Sequence, residues 1–231
     1  RVYENSREAI PLDKLMLAGT GNQSTYEMIQ AFRDAAQAGA DALLVLNPSY
    51  YKGLMNRKAL TRHYWAVADA SPAPVIIYNM PANSGLDMDA DTIADIATHE
   101  NVVGLKDSGG NMVKMGTIID RVRSDFQVLA GSAGFLLPAL SLGARGGILA
   151  LANIAPGLCL NIYRHFMDGD FEAARKAQLS AIPLNTAVTR QWGVPALKEA
   201  MDHLGLYGGP PRSPLLPVNS EVRSALHRLI S

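Results

Sequence analysis

The sequence predicts an α/β protein built on a parallel sheet and ending in helices, and three observations predict it. Six short apolar runs recur along the chain, none alternating apolar with polar residues, which is the composition of strands buried on both faces. Each run is followed by Gly, Pro, Asn or Ser and then by an amphipathic stretch, the rhythm of βα units. From about Pro156 that rhythm stops and only helical patterns follow.

The expected strands are Leu15–Ala18, Ala42–Leu46, Val75–Tyr78, Val102–Leu105, Gln127–Ala130 and Gly147–Ala152. Between them, Ser24–Ala38 reads as the clearest helix, because Ser24 and Glu27 form a capping box that satisfies two free amides at once. Asp89–His99, Met112–Arg123 and Leu136–Leu142 are the other interstrand helices. Leu158–Met167, Asp170–Leu184, Val194–Leu204 and Val218–Ile230 form the helical tail, with the turn Tyr207-Gly208-Gly209-Pro210-Pro211 before the last. No polar linker divides residues 1–155 from 156–231, so one domain is expected.

Six units fit an open doubly wound sheet, whereas a closed (β/α)₈ barrel needs eight strands. Residues 1–10 read as the last turns of a helix entering the strand at Leu15, and the chain opens on Arg1 rather than methionine. Two preceding βα units and any leader peptide are therefore expected to be absent from the chain as given.

Composition excludes several function classes. Lys plus Arg number 21 against 21 Asp plus Glu, which argues against nucleic acid or an anionic membrane as the main partner. The single Cys159 excludes an intrachain disulfide and a multi-cysteine metal cluster, and it fits a reducing compartment. No apolar run is long enough to cross a bilayer, so a soluble intracellular protein is expected, cytoplasmic or mitochondrial.

In parallel α/β folds reactive groups collect at the carboxyl ends of the strands. Here those ends carry Gly19-Thr20-Gly21, Asn47-Pro48-Ser49-Tyr50-Tyr51, Tyr78-Asn79-Met80-Pro81, Lys106-Asp107-Ser108-Gly109-Gly110, Gly131-Ser132-Ala133-Gly134 and Ala152-Asn153. All five histidines fall in helical patterns, which disfavours a histidine-liganded metal or a histidine base. The chemistry is left to lysine and tyrosine. Lys106 ends the run Val102-Val103-Gly104-Leu105. A lysine there either snorkels to solvent or serves as a Schiff-base amine, since an apolar interior favours the uncharged nucleophile. Tyr78 either caps the core or shuttles protons beside that amine. The glycine clusters with Ser108 and Ser132 suit a carboxylate held by amides and hydroxyls, although short glycine clusters are weak signals.

Asn47-Pro48-Ser49-Tyr50-Tyr51, Tyr78-Asn79-Met80-Pro81, Gly104-Leu105-Lys106-Asp107 and Ala130-Gly131-Ser132 lie in the order and approximate spacing of one family. The chain resembles the dihydrodipicolinate synthase / N-acetylneuraminate lyase superfamily of class I aldolases. The resemblance covers essentially the whole chain. It implies a (β/α)₈ TIM barrel with a C-terminal helical extension, with units three to eight present here. It also implies Lys106 as the Schiff-base lysine toward a 2-oxo acid, Tyr78 as the proton-shuttling phenol and Tyr51 as an aromatic reaching a neighbouring subunit's site. Ser108, Gly131, Ser132, Asn83 and Leu149 complete the expected substrate contacts.

Dihydrodipicolinate synthases usually carry an arginine where this chain has Asn83, in Pro81-Ala82-Asn83-Ser84-Gly85. The segments 106–110, 131–135, 187–190 and 207–210 look most like eukaryotic 4-hydroxy-2-oxoglutarate aldolases. The resemblance therefore implies retro-aldol cleavage to pyruvate and glyoxylate, with no cofactor and no metal, by a homodimer or homotetramer. The alternatives are dihydrodipicolinate synthase, a 2-keto-3-deoxy sugar-acid aldolase, and a non-catalytic α/β protein that binds a keto acid.

Overall fold

A computed structural model describes residues 1–230, in two compact units that meet at Leu129 and Ala130. The first unit contains α1 (Val2–Ala9), β1 (Leu17–Gly19), α2 (Thr25–Gln37), β2 (Ala42–Leu46), α3 (Arg57–Asp69) and β3 (Val75–Asn79). It continues through α4 (Pro81–Ser84), α5 (Ala90–Ile96), β4 (Val102–Asp107), α6 (Met112–Arg121) and β5 (Gln127–Ala130), whose last residue opens the second unit. The strands are neighbours in chain order, and the pairs β1–β2, β2–β3 and β3–β4 are parallel.

Leu43, Val45, Ile77 and Leu105 alternate along β2–β4 and are fully buried under the helical layer. Met28, Phe32, Tyr64, Ile93, Ile96, Met115 and Ile118 supply the helical side of that core. The Tyr64 hydroxyl donates to the Val45 carbonyl at 3.0 Å, which ties α3 to β2. β3 and β4 slip by one residue between Val75 and Ile76. Beyond the slip, Ile76 pairs Gly104, Tyr78 pairs Lys106 and Asn79 pairs Asp107. Gly104 is required there, because a Cβ would stand 2.6 Å from the Gln127 carbonyl oxygen of β5.

Side-chain caps start the helices. Ser24 accepts from the Glu27 amide, Asn56 from Ala59, Asp89 from Thr92 and Asn111 from Lys114. Only half of the expected capping box forms at α2, since the Ser24 amide donates to Asn22 Oδ1 at 3.4 Å rather than to Glu27. α3 is not among the helices expected above, although Leu60, Tyr64, Val67 and Ala68 form a helical apolar stripe behind the Asn56 cap.

The second unit contains α7 (Leu136–Ser141), β6 (Gly146–Gly147), α8 (Pro156–Met167), α9 (Phe171–Thr186), α10 (Gly193–His203) and α11 (Ser220–Ile230). The strand expected over Gly147–Ala152 is shorter than predicted. β6 spans two glycines, Ile148 still donates to the Ala130 carbonyl at 2.9 Å, and Ala150–Asn153 is a 3₁₀ turn. Small, unbranched Ala and Gly residues hold a strand poorly, so the apolar run coils once the sheet contact ends. Four helices follow as expected, with a π-helical turn at Ala187–Gln191. Among the described residues no helix is long and apolar enough to cross a membrane.

His63 of α3 is buried, with Nδ1 2.8 Å from Thr25 Oγ1 of α2. Burial pushes its pKa down to about 4 from 6.5. The unfolded chain therefore takes up this proton at a higher pH than the folded one, and stability present above pH 6.5 is lost as pH falls toward 4. The total loss is about 3 kcal/mol. Denaturant midpoints measured across that window should fall more steeply for the unaltered protein than for His63→Gln; parallel curves would show that His63 does not carry this pH dependence.

Candidate active site

Lys106 and Tyr78 sit opposite each other on neighbouring strand ends. Lys106 is 9% exposed, and its Nζ lies 4.0 Å from the centroid of the Tyr78 ring. Among the described residues no carboxylate pairs with Lys106. The ring face shields the amine on one side and a cation is favourably placed there. Both side chains stand on the face of the sheet turned away from the fully buried row Ile77 and Leu105.

Two residues after Lys106, Ser108 Oγ is buried and has no hydrogen-bond partner among the described residues. A buried hydroxyl left unsatisfied costs about 1–3 kcal/mol, which makes Ser108 a candidate for a polar ligand. The Ser108 amide is held by the Asn79 carbonyl at 2.9 Å, and Gly109 donates its amide to Asp107 Oδ1 at 2.8 Å, which sets the turn that carries Ser108.

The remaining predicted residues lie outside the strands. Tyr51 is exposed in the loop after β2, edge-on to Tyr50 with ring centroids 5.0 Å apart. Asn83 is exposed in α4, directly after β3. Lys52 Nζ lies 3.2 Å from the position a Cβ on Gly85 would take, so its ammonium rests on the turn that contains Asn83. In the second unit, Gly131 and Ser132 follow β5, and Ser132 Oγ accepts from Asn185 Nδ2 of α9 at 3.1 Å. Leu149 is half-buried and lines a cavity of about 330 Å³ with Leu136, Cys159 and Tyr163. Burial there pushes the Cys159 thiol pKa up.

Sequence reasoning gave no role to Asn79, Asp107, Lys114 or Asn185. Asn79 and Asp107 follow Tyr78 and Lys106, so the two-residue strand period places them on the opposite face, where polar side chains need partners. Lys114 and Asn185 come from helices, and only the fold brings them to the strand ends. Among the described residues no cluster of three or more His, Cys, Asp or Glu side chains could hold a metal ion.

Residues 4–231 match the dihydrodipicolinate synthetase family. A 4-hydroxy-tetrahydrodipicolinate synthase from Methanospirillum hungatei is 37% identical over 94% of this chain and 74% of its own length. A protein of Emericella nidulans described as a probable mitochondrial 4-hydroxy-2-oxoglutarate aldolase is 40% identical over 94% of this chain and 70% of its own length. Dihydrodipicolinate synthase from Bacillus anthracis superposes with a TM-score of 0.94 at 28% identity, over 99% of this chain and 77% of the other. The enzyme from Aquifex aeolicus does so with a TM-score of 0.93 at 29% identity, over 99% and 78%. The likeness to these structures implies a TIM-barrel-like α/β fold, of which the parallel strands β1–β4 and their helices form part. With a buried lysine and a tyrosine paired at its strand ends, this chain belongs to the dihydrodipicolinate synthetase family and is an enzyme of the class I aldolase kind.

Proposed function

We propose that the protein cleaves 4-hydroxy-2-oxoglutarate to pyruvate and glyoxylate through a Schiff base on Lys106. The observation that carries the reading is the buried Lys106 amine held 4.0 Å from the Tyr78 ring, with the unpartnered buried Ser108 hydroxyl two residues further along the chain. In the eight-stranded barrel that this reading implies, β1–β6 would take places three to eight.

The Lys106 amine attacks C2 of the 2-oxo acid, and Tyr78 carries protons from the amine to the carbinolamine oxygen, which leaves as water. The resulting iminium is an electron sink. When the C4 hydroxyl loses its proton, the C3–C4 bond breaks, glyoxylate departs and the electron pair is stored in the enamine. Protonation at C3 and addition of water then release pyruvate and return the free amine. Ser108 would hold the carboxylate beside C2.

The choice of a dicarboxylate rests on the turn after β3. Asn83 brings no charge to it, but the Lys52 ammonium does, and Lys52 forms no ion pair among the described residues. A substrate with a second carboxylate would find its counter-ion there. Tyr51 would act across an interface between two copies, in a dimer or tetramer, since its ring is two-thirds exposed in the single chain.

Borohydride added with pyruvate should trap a covalent adduct on Lys106, and Lys106→Ala should abolish both trapping and turnover. A Lys106→Ala protein that still binds the keto acid with unchanged stability, where the unaltered chain traps nothing, would instead favour a non-catalytic binding protein. Tyr78→Phe should lower kcat by about 10²-fold or more with the fold intact; an unchanged rate removes the phenol from the proton path. Lys52→Met should raise KM for 4-hydroxy-2-oxoglutarate by about tenfold while trapping with pyruvate, which has one carboxylate, stays as it was. Equal effects on both acids would take Lys52 out of substrate selection.

A further inference from the structure

Behind the reactive pair, on the other face of the same strand ends, lies a closed polar network. Asp107 is fully buried, and its Oδ2 accepts from Asn79 Nδ2 at 2.8 Å. The same Asn79 nitrogen donates to Asp87 Oδ1 at 2.7 Å, and Asn79 Oδ1 accepts the Met88 amide at 3.1 Å. Lys114, projecting from the first turn of α6, closes the network. Its ammonium lies 3.2 Å from Asp107 Oδ2, pairs with Asp87 and approaches the Met88 carbonyl at 3.4 Å. Its side chain is only 10% exposed.

Three chain segments meet at this ammonium: the end of β4 through Asp107, the loop after α4 through Asp87 and Met88, and the start of α6. Asn79 adds the end of β3. Tyr78 and Lys106 are the residues immediately before Asn79 and Asp107, and they pair across the sheet in the same register. The lateral separation of Tyr78 and Lys106 is therefore set one residue further on, by side chains that touch neither.

The geometry points to Lys114 as a positioning residue for the Schiff-base reaction, acting through Asp107 and Asn79 to hold the Lys106 amine against Tyr78. A buried carboxylate that loses its cation is uncompensated and must draw in water or move. Either response loosens the Asp107–Asn79 bond and lets β3 and β4 splay at the level of the reacting atoms. Misplacement of about 1 Å is enough to slow a positioned reaction about 10²-fold. Asp107 also holds the Gly109 amide, so the same release frees the turn that carries Ser108.

The inference rests on the aldolase reading, and the test separates the two. Lys114→Met, Lys114→Arg and the milder Asp87→Asn are compared with the unaltered protein. Borohydride capture with pyruvate counts competent lysines, and kcat and KM for 4-hydroxy-2-oxoglutarate are expressed per captured lysine. Lys114→Met should lower kcat per captured lysine by about tenfold or more with KM nearly unchanged, Lys114→Arg should recover most of the loss, and Asp87→Asn should fall in the same direction. A purely structural role would reduce the number of capturable lysines and leave the rate of each intact. An unchanged kcat per captured lysine in Lys114→Met overturns the inference, as does the same result in Asp87→Asn if Lys114→Met does not fold. No capture in the unaltered protein overturns the aldolase reading instead.

Discussion

The register between β3 and β4 is the constraint on which the rest of the site depends. Val75 pairs Val102, and a regular ladder from there would set Tyr78 against Leu105 and Asn79 against Lys106. The one-residue slip after Val75 moves each partner on by one, so that Tyr78 meets Lys106 and Asn79 meets Asp107. Because side chains alternate faces with a period of two, a slip of one exchanges the two faces of a whole strand end. Gly104 accompanies the slip. It pairs Ile76, and its missing Cβ is what lets β4 lie against the Gln127 carbonyl of β5.

The slip sorts the two strand ends into faces of different physics. On one face an amine and a phenol ring stand together, and two residues after the amine comes a buried hydroxyl with no partner among the described residues. On the other face both Asn79 hydrogens, its carbonyl and the Asp107 carboxylate have protein partners, and Lys114 neutralises one of the two carboxylates it touches. Unsatisfied groups bind substrate and satisfied ones hold geometry, and a buried polar network resists deformation only when it is complete. A strand end can present both because adjacent residues point in opposite directions.

Much of this was legible in the sequence, and the limits follow the same logic. Lys106 and Tyr78 could be read because each terminates an apolar run, where a polar side chain needs a reason. α9 and α10 could be read from helical periodicity. Lys114 could not be read as part of the site, since on α6 it resembles any surface lysine until the fold brings Asp87 and Asp107 to it. The expected strand at Gly147–Ala152 shows the opposite error, in which an apolar run of Gly, Ala and Leu satisfied the composition of a strand with Ile148 as its one β-branched side chain to stiffen it. Ser132 was legible as a hydroxyl after a strand, but its partner Asn185 lies 53 positions away on α9 and only tertiary structure joins them.

The substrate is a separate question from the scaffold, because the scaffold is shared by relatives that carry different names. In the proposed reaction, iminium chemistry at Lys106 would need only a 2-oxo acid, and the slipped register, the Asp107 network and Ser108 would serve that part of any such molecule alike. Discrimination falls to what meets the far end of the substrate. In the proposed reaction that would be the turn from Pro81 to Gly85, which bears an uncharged Asn83 and lies under the Lys52 ammonium from a different loop. Gly85 adopts φ +66 there, and its bare Cα leaves the space that the lysine fills. A cation delivered from the neighbouring loop on a flexible stem recognises a carboxylate as a point charge, without the planar two-pronged fit an arginine on the turn would impose. Such a site rewards the presence of a second carboxylate more than its precise orientation, which suits a short, flexible hydroxy-oxo diacid better than a rigid one.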